Sequence, residues 1–476
     1  MPIPARGLPP DAILTTLAAY KQHDLPWRSG RALAYIYDPG QEARDLLARA
    51  YTLFLTENAL DPTSFPSILR LETEVVRIVA ELLRAPETAA GNFTSGGTES
   101  ILLAVKAARD YARAMRPGLA EPEMVLPRTA HAAFHKAAAY LGVRPVVVEF
   151  DPATFRADPA EVAAAITDRT ILLVASAPCY SHGVIDPIHE LGALALERGL
   201  LFHVDACVGG LQLSFMRRDG VPLPDFDFSV PGVTSISADL HKYGYAAKGA
   251  SVILYRDREL RKYQLFASSA TTGYTVINPT VQSSRSGGPV AAAWALLHFL
   301  GEEGYRRINR AVMDATRRLI AGVNATDGLR VLGEPAMSMF AFTSDTLDLL
   351  RLADVMKRLG WYIQPQLRAG RSPLNLHVSV THATVPHVDA FLAALRTSAA
   401  EVAVAGPGPG ETDMARLLAD LAALPPAEAY ARIAAVAGLE GGALPEEMAP
   451  VNAVLNALSP DLRDALLLEF INGLYA

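Results

Sequence analysis

The sequence predicts an α/β protein: a mainly parallel sheet wrapped by helices, followed by a smaller C-terminal α/β unit. Three observations predict it. Six short apolar runs, EMVLP, RPVVVEF, TILLVASA, LLFHVDA, VTSISA and SVILYR, recur between residues 123 and 256. Segments of helical periodicity, AAFHKAAAYLG, PAEVAAAIT and PIHELGALALERG, separate the first four of them. Several runs are apolar without alternation, as expected of strands covered on both faces. Strand and helix alternating at this spacing wind into a parallel sheet between helical layers, and ligands of such sheets bind at the carboxyl ends of the strands.

Taken in order, residues 1–60 read as an N-terminal arm, with prolines at Pro2, Pro4, Pro9 and Pro10 and a helical pattern in QEARDLLARAYTLFL. Residues 61–300 form the large domain. In it RLETEVVRIVAELL and ESILLAVKAARDYARAM carry helical periodicity on either side of a glycine-rich turn, before the strands begin. Residues 301–405 form the small domain: NRAVMDATRRLIAGV is a helix, MSMFAFT and NLHVSVT are strands, and HVDAFLAALRTSAAEVAVA closes it as a helix. Residues 406–476 open with GPGPGETD, a linker by composition, and continue as a helical extension without a cluster of catalytic residue types.

Composition narrows the function. Of 476 residues, 50% are hydrophobic and 20% charged, within the range of globular proteins. The formal charge of -7, with no long Lys/Arg run, offers no field to a polyanion, so nucleic acid is not an expected partner. Cys179 and Cys207 are too few for a disulfide framework and lack the paired spacing of a zinc site; no metal is expected, and a reducing, cytoplasmic location fits. The N-terminus has no signal-peptide pattern, and the most apolar stretch, PVAAAWALLHFL, is too short to cross a bilayer and carries His298.

Three stretches carry chemistry. TSGGTES places Gly96 and Gly97 before a helix, where backbone can approach a ligand closely and unpaired amides meet the positive end of the helix dipole. Alone, such a turn is usually a plain connection. LFHVDACVGG ends an apolar run on Asp205; a carboxylate at a buried strand tip needs a partner, whether a helix cap, a salt bridge or a protonated heterocyclic nitrogen. SADLHKYGYAAKG brings Lys242 out of the next strand at the same sheet edge, followed by Lys248. A lysine taken at random is a surface lysine. Phosphate seat, strand-tip acid and later lysine together are the parts that pyridoxal 5'-phosphate requires: amides for its phosphate, an acid for its ring nitrogen and an amine for its aldehyde.

The motifs TSGGTESILLAVKAARD, HAAFHKAA, HGVIDPI, HVDACVGG, SISADLHKYGYAAKGASVILYRD and PTVQSSRSGG resemble the sphingosine-1-phosphate lyase family of the group II pyridoxal phosphate-dependent decarboxylase superfamily, over residues 37–397. The resemblance implies a fold type I, transferase-like enzyme working as a homodimer whose two active sites lie at the subunit interface. It implies Lys242 as the Schiff-base lysine, Asp205 as partner of the pyridine nitrogen, His131 stacked on the ring, and Gly97, Thr98 and His241 on the phosphate. Lys248 matches the HKYGYxxKG pattern of the lyases, as a cation for the substrate's anionic group or a proton-transfer partner. The implied reaction is retro-aldol cleavage of a phosphorylated β-hydroxy amine, such as a phosphorylated sphingoid base, to an aldehyde and phosphoethanolamine. Amino-acid decarboxylation or an aldolase reaction is the alternative, and a non-catalytic pyridoxal protein a third reading.

Two departures bear on the substrate. The family's NPLHPDxFP is here NALDPTSFP, with Asp61 at the histidine position, where a carboxylate facing a phosphate is repelled by about 1 to 4 kcal/mol. The family's GGxYxSP is GYTVINP, shifting the tyrosine to Tyr274, while SRSGG retains Arg285 as a candidate substrate ligand. Tyr37 matches a substrate-facing tyrosine supplied by the partner subunit, with core packing as the alternative.

Overall fold

A computed structural model describes residues 3–273, 275–405, 420–421, 424–437 and 445–475. The linker GPGPGETD and Tyr274 lie outside the described residues. The arm contains a helix that its prolines conceal: α1 (Pro10–Tyr20) has Pro9 at its N-cap and Pro10 at its first position, where a missing N–H is harmless, and it buries no residue. After α2 (Gln41–Leu53), α3 (Pro66–Leu82) buries Ile68, Val75, Val79 and Leu82 along one helical face.

The large sheet has seven strands in the order β1-β7-β6-β5-β4-β2-β3. They are β1 (Ala90–Thr94), β2 (Glu123–Pro127), β3 (Arg144–Val148), β4 (Thr170–Ser176), β5 (Leu201–Asp205), β6 (Ser235–Ala238) and β7 (Ser251–Tyr255). β2 to β6 pair in parallel, whereas β7 runs antiparallel to both β6 and β1. Every residue of β2, β4, β6 and β7 is buried, which is why those runs lack a polar face. The exception to the sequence pattern is β1, whose AGNFT has weak strand character and is held as an edge strand by β7.

Helices α4 (Gly97–Met115), α5 (Ala133–Leu141), α6 (Pro159–Ala165), α7 (Ile188–Arg198) and α8 (Gly210–Arg218) connect these strands. The register is decisive for the site: Ser176, Asp205 and Ser237 face one another across β4, β5 and β6, so these three strand ends lie level.

Beyond β7 come α9 (Arg258–Arg261) and a hairpin of β8 (Phe266–Ser268) and β9 (Val276–Asn278) that no apolar run announced. Helix α10 (Gly287–Asn324) then crosses to a second sheet and bends at Gly301, whose φ is 56°. That sheet is antiparallel, in the order β10-β11-β13-β12: β10 (Arg330–Val331), β11 (Met339–Thr343), β12 (Gln364–Gln366) and β13 (Asn375–Ser379). Helices α11 (Leu349–Arg358) and α12 (Val388–Ala405) cover it. One apolar core runs through both sheets, joining Val204 and Ile236 to Phe340 and Val378.

At the C-terminus α13 (Pro426–Ala437), α14 (Ala449–Ala457) and α15 (Pro460–Leu474) share a small core of Leu421, Ala429, Ile433, Val454, Leu458 and Leu466. Asp354 of α11 anchors this module, accepting the amides of Met448 (3.1 Å) and Ala449 (2.7 Å) at the start of α14. Among the described residues no helix is long and apolar enough to cross a membrane.

Candidate active site

The level strand ends put polar groups where the sheet leaves a gap. Asp205, at the tip of β5, is 8% exposed and accepts the Cys207 amide (3.0 Å) and the Ser237 hydroxyl (3.4 Å). Opposite it, α4 starts at Gly97, so the amides of Gly97 and Thr98 have no preceding carbonyl within the helix and stand at its positive end. Gly97 is required by space: a Cβ there would lie 2.8 Å from the Cys207 sulfur and 2.9 Å from Asp239 Oδ2.

Lys242 follows β6 into this gap. Its Nζ lies 3.0 Å from Oδ2 of Asp239, which is 2% exposed. Burial alone would weaken the ammonium, but the Asp239 charge outweighs it and holds Lys242 above the ordinary lysine range. Asp239, despite burial, is held below the ordinary carboxylate range by Lys242 and then His241. His241 accepts the Ala250 amide at Nδ1 (3.2 Å), which leaves Nε2 to carry the proton of the neutral ring. Burial lowers the His241 pKa against the pull of Asp239, and burial likewise lowers that of His131. His131 Nδ1 accepts the Ala133 amide (3.2 Å) at the head of α5.

Gly97, Thr98, His131, Asp205, His241 and Lys242 all line one cavity of about 350 Å³. The donor set fits pyridoxal 5'-phosphate: helix-start amides and a neutral histidine for a phosphate, a carboxylate for a ring nitrogen, and a buried amine for an aldehyde. One oxygen of Asp239 has no hydrogen-bond partner among the described residues. Asp239 is the residue that sequence reasoning missed, and its signal was present, an acid three positions before Lys242 at a strand end. Tyr180 was missed too. It lines the same cavity and its hydroxyl donates to Gln364, a partner 184 residues away that no local pattern could supply.

Lys248 is exposed and does not line this cavity. Its Nζ donates to the carbonyls of Tyr35 (3.1 Å) and His241 (3.5 Å) and stands 5.1 Å from the centre of the Tyr37 ring. Loss of water around it, and then the Lys242 charge, push its pKa below the ordinary lysine value. Tyr37 packs edge-on against Tyr243 at 5.0 Å, and its hydroxyl is raised by burial against the opposing effect of Lys242. Within the single chain Tyr37 thus stands beside Tyr243 and Lys248. Leu33 ties the segment down, giving its amide to Tyr362 (2.9 Å) and accepting the Ser379 amide (2.7 Å).

Asp61 and Arg285 are not brought to Lys242 within the chain. Both line a separate cleft of about 1480 Å³ between α3 and the β8–β9 hairpin. Asp61 caps its own turn, accepting the Thr63 amide (2.8 Å), the Thr63 hydroxyl (2.7 Å) and the Ser64 hydroxyl (3.2 Å). Arg285 is buried and donates to Glu72 (2.9 Å) and to the Phe93 carbonyl (3.0 Å). Within the single chain Asp61 is a turn cap and Arg285 one half of a buried ion pair.

Comparison with known proteins agrees with this geometry. The family model described as pyridoxal-dependent decarboxylase conserved domain matches residues 26–344. A second model, a C-terminal HTH domain of pyridoxal-dependent enzymes, matches residues 386–473. The sphingosine-1-phosphate lyase of Arabidopsis thaliana is 43% identical over 86% of this chain and 75% of its own. That of Saccharomyces cerevisiae is 39% identical over 84% and 68%. The solved structure of a Burkholderia pseudomallei sphingosine-1-phosphate lyase superposes with a TM-score of 0.81 at 38% identity, covering 85% of this chain and 93% of that one. A Lactobacillus brevis glutamate decarboxylase, at 21% identity and a TM-score of 0.75, shares the fold.

Proposed function

The chain belongs to the pyridoxal-dependent decarboxylase family and, within it, to the sphingosine-1-phosphate lyases, and we propose that it cleaves a phosphorylated β-hydroxy amine to an aldehyde and phosphoethanolamine. It is a pyridoxal 5'-phosphate-dependent lyase. The cofactor, when bound, supplies an electron sink for the bond broken at the amine-bearing carbon. The residues supply the rest. Asp205 would hold a proton at the pyridine nitrogen, His131 would pack on the ring, and Gly97, Thr98 and neutral His241 would hold the phosphate, since all line one cavity. Lys242, kept against Asp239 at 3.0 Å, would supply the amine for the aldehyde.

The observation that carries the lyase reading over decarboxylation is the second amine. Lys248 lies beside Tyr37 and the His241 carbonyl with a lowered pKa, so its neutral amine forms more readily than an ordinary lysine's and would take the proton from a β-hydroxyl oxygen. Decarboxylation has no such proton to remove. The test is a product survey by mass spectrometry with a phosphorylated sphingoid base beside common amino acids. Aldehyde is expected from the first and no carbon dioxide from the others. Lys248→Ala should lower aldehyde release by about 10²- to 10⁴-fold with cofactor absorbance intact; unchanged release would remove Lys248 from the reaction.

A homodimer with shared sites fits the exposed apolar groups of α1 (Ile13, Leu14, Leu17) and of the hairpin region (Phe266, Ile277, Val281). A cytoplasmic place fits two free, buried cysteines. Nucleic acid remains an unexpected partner: α15 carries Asp461, Asp464 and Glu469 against Arg463, a balance opposed to a phosphate backbone.

A further inference from the structure

Tyr180 lines the Lys242 cavity, and the side chains that hold it come from the second sheet. It rides on the loop from β4 to α7, whose base is closed between Ser176 and Asp186. The Ser176 amide donates to the Asp186 carboxylate (2.8 Å), and the Asp186 amide donates to the Ser176 carbonyl (3.1 Å). The far end of the loop leans on the small domain. There the Ala336 amide donates to the Gly183 carbonyl (2.8 Å), and Gly183 lets the loop approach β11, since a Cβ at this position would collide with the Met339 carbonyl oxygen.

Gln364 of β12 and His377 of β13 stand opposite each other in the antiparallel ladder, so their side chains share one face of the sheet. Gln364 accepts the Tyr180 hydroxyl at Oε1. His377 lies 4.4 Å from the Tyr180 ring, centre to centre. The imidazole is itself held at both nitrogens. Nδ1 stands 2.7 Å from the Ser181 carbonyl, which can only accept, so Nδ1 carries the proton of the neutral ring and Nε2 accepts the Ser379 hydroxyl (2.8 Å). Burial keeps that ring neutral. One cross-strand pair therefore grips the ring of Tyr180, its hydroxyl and the residue that follows it.

The grip sets the polarity of the hydroxyl. Burial raises the Tyr180 pKa against the opposing charge of Lys242, so the phenol keeps its one proton, and that proton is given to Gln364. What the oxygen has left to offer is a lone pair.

We infer that Gln364 and His377 are positioning residues of the reaction: they hold Tyr180 at the cavity wall with its oxygen set to accept a hydrogen bond from the amine or hydroxyl of the substrate. Neither lines the cavity, so each acts through Tyr180. The inference rests on the lyase reading above for the substrate it uses.

The test is a double-mutant cycle on the holoenzyme with a phosphorylated sphingoid base, read as aldehyde release. Tyr180→Phe and Gln364→Leu should each lower kcat/KM by at least about ten-fold, and the double variant should be no worse than Tyr180→Phe alone. A merely structural role of Gln364 would multiply the two losses, and that outcome overturns the inference. A second readout needs no turnover: fluorotyrosine placed at Tyr180 should give one sharp fluorine resonance, shifted or split by Gln364→Leu and by His377→Leu. A resonance unmoved in either variant also overturns it. If one of these variants fails to fold, Gln364→Glu and His377→Asn decide, since they keep the acceptor for Tyr180 and the donor for Ser181. Each should hold kcat/KM within about five-fold of the natural chain, and a loss as large as that of Tyr180→Phe would overturn the inference. Absence of aldehyde from the natural chain would end the lyase reading alone, and the fluorine resonance would still decide this one.

Discussion

The Lys242 cavity and the cleft of Asp61 and Arg285 are built from similar residue types and differ in what their polar groups are doing. In the cavity, helix-start amides, a strand-tip carboxylate and a buried amine converge, and an oxygen of Asp239 lacks a partner among the described residues. In the cleft, Thr63 and Ser64 occupy Asp61, and Arg285 is paired in charge with Glu72 and donates to the Phe93 carbonyl, its Nε alone lacking a partner among the described residues. Opposite charge matched within the chain holds the fold, whereas in the cavity polar groups of different chemistry converge on one space where a single ligand can meet them together.

The strongest way to break this contrast is Lys242→Ala. Turnover should fall by more than about 10³-fold, with loss of the absorbance band that depends on the lysine; substantial remaining activity would remove the cavity from the chemistry. Next in size is Glu72→Gln. Leaving Arg285 buried without its carboxylate should destabilise the fold by roughly 3 to 5 kcal/mol, read as a lower denaturation midpoint. A small effect would mean that the pair is no keystone of the cleft.

A third test uses pH. Burial depresses His182, His203 and His377 to about 4, so the folded state keeps them neutral where the unfolded chain, titrating near 6.5, binds protons. Their stabilising effect is fully present above pH 6.5 and is lost as pH falls towards 4. Tm should drop across that window, and His203→Gln should flatten the drop.

The smallest effect is expected of Asp61→Ala, which should leave KM unchanged if the carboxylate serves only its turn. A fall in KM would mean that Asp61 faces the substrate phosphate from a partner subunit, and the contrast between the two regions would then hold for the single chain alone.

Legibility followed the range of the interaction. Central strands could be read because each is an unbroken apolar run, whereas β1, β8, β9 and β12 could not, being short or weakly apolar and stabilised by neighbours far along the chain. Lys242, Asp205 and Gly97 could be read because their residue types at strand and helix ends are costly without a purpose. Asp239 could have been read by the same reasoning and was passed over beside the more conspicuous Asp205. The ion-pair partner of Arg285 could not be read because its carboxylate stands 213 residues earlier, nor could the place of Tyr37, whose segment is tied down by Leu33 through Tyr362 and Ser379.

Residue type and local spacing were enough to set the strand and helix pattern, the chemistry of amine, acid and amides, and hence the class of cofactor. Partner choice belonged to the folded chain. A carboxylate pairs with whichever cation the packing brings within about 4 Å, and Coulomb attraction at that distance carries no record of sequence separation. Only the tertiary arrangement therefore decided that Asp239 takes Lys242 and that Glu72 takes Arg285.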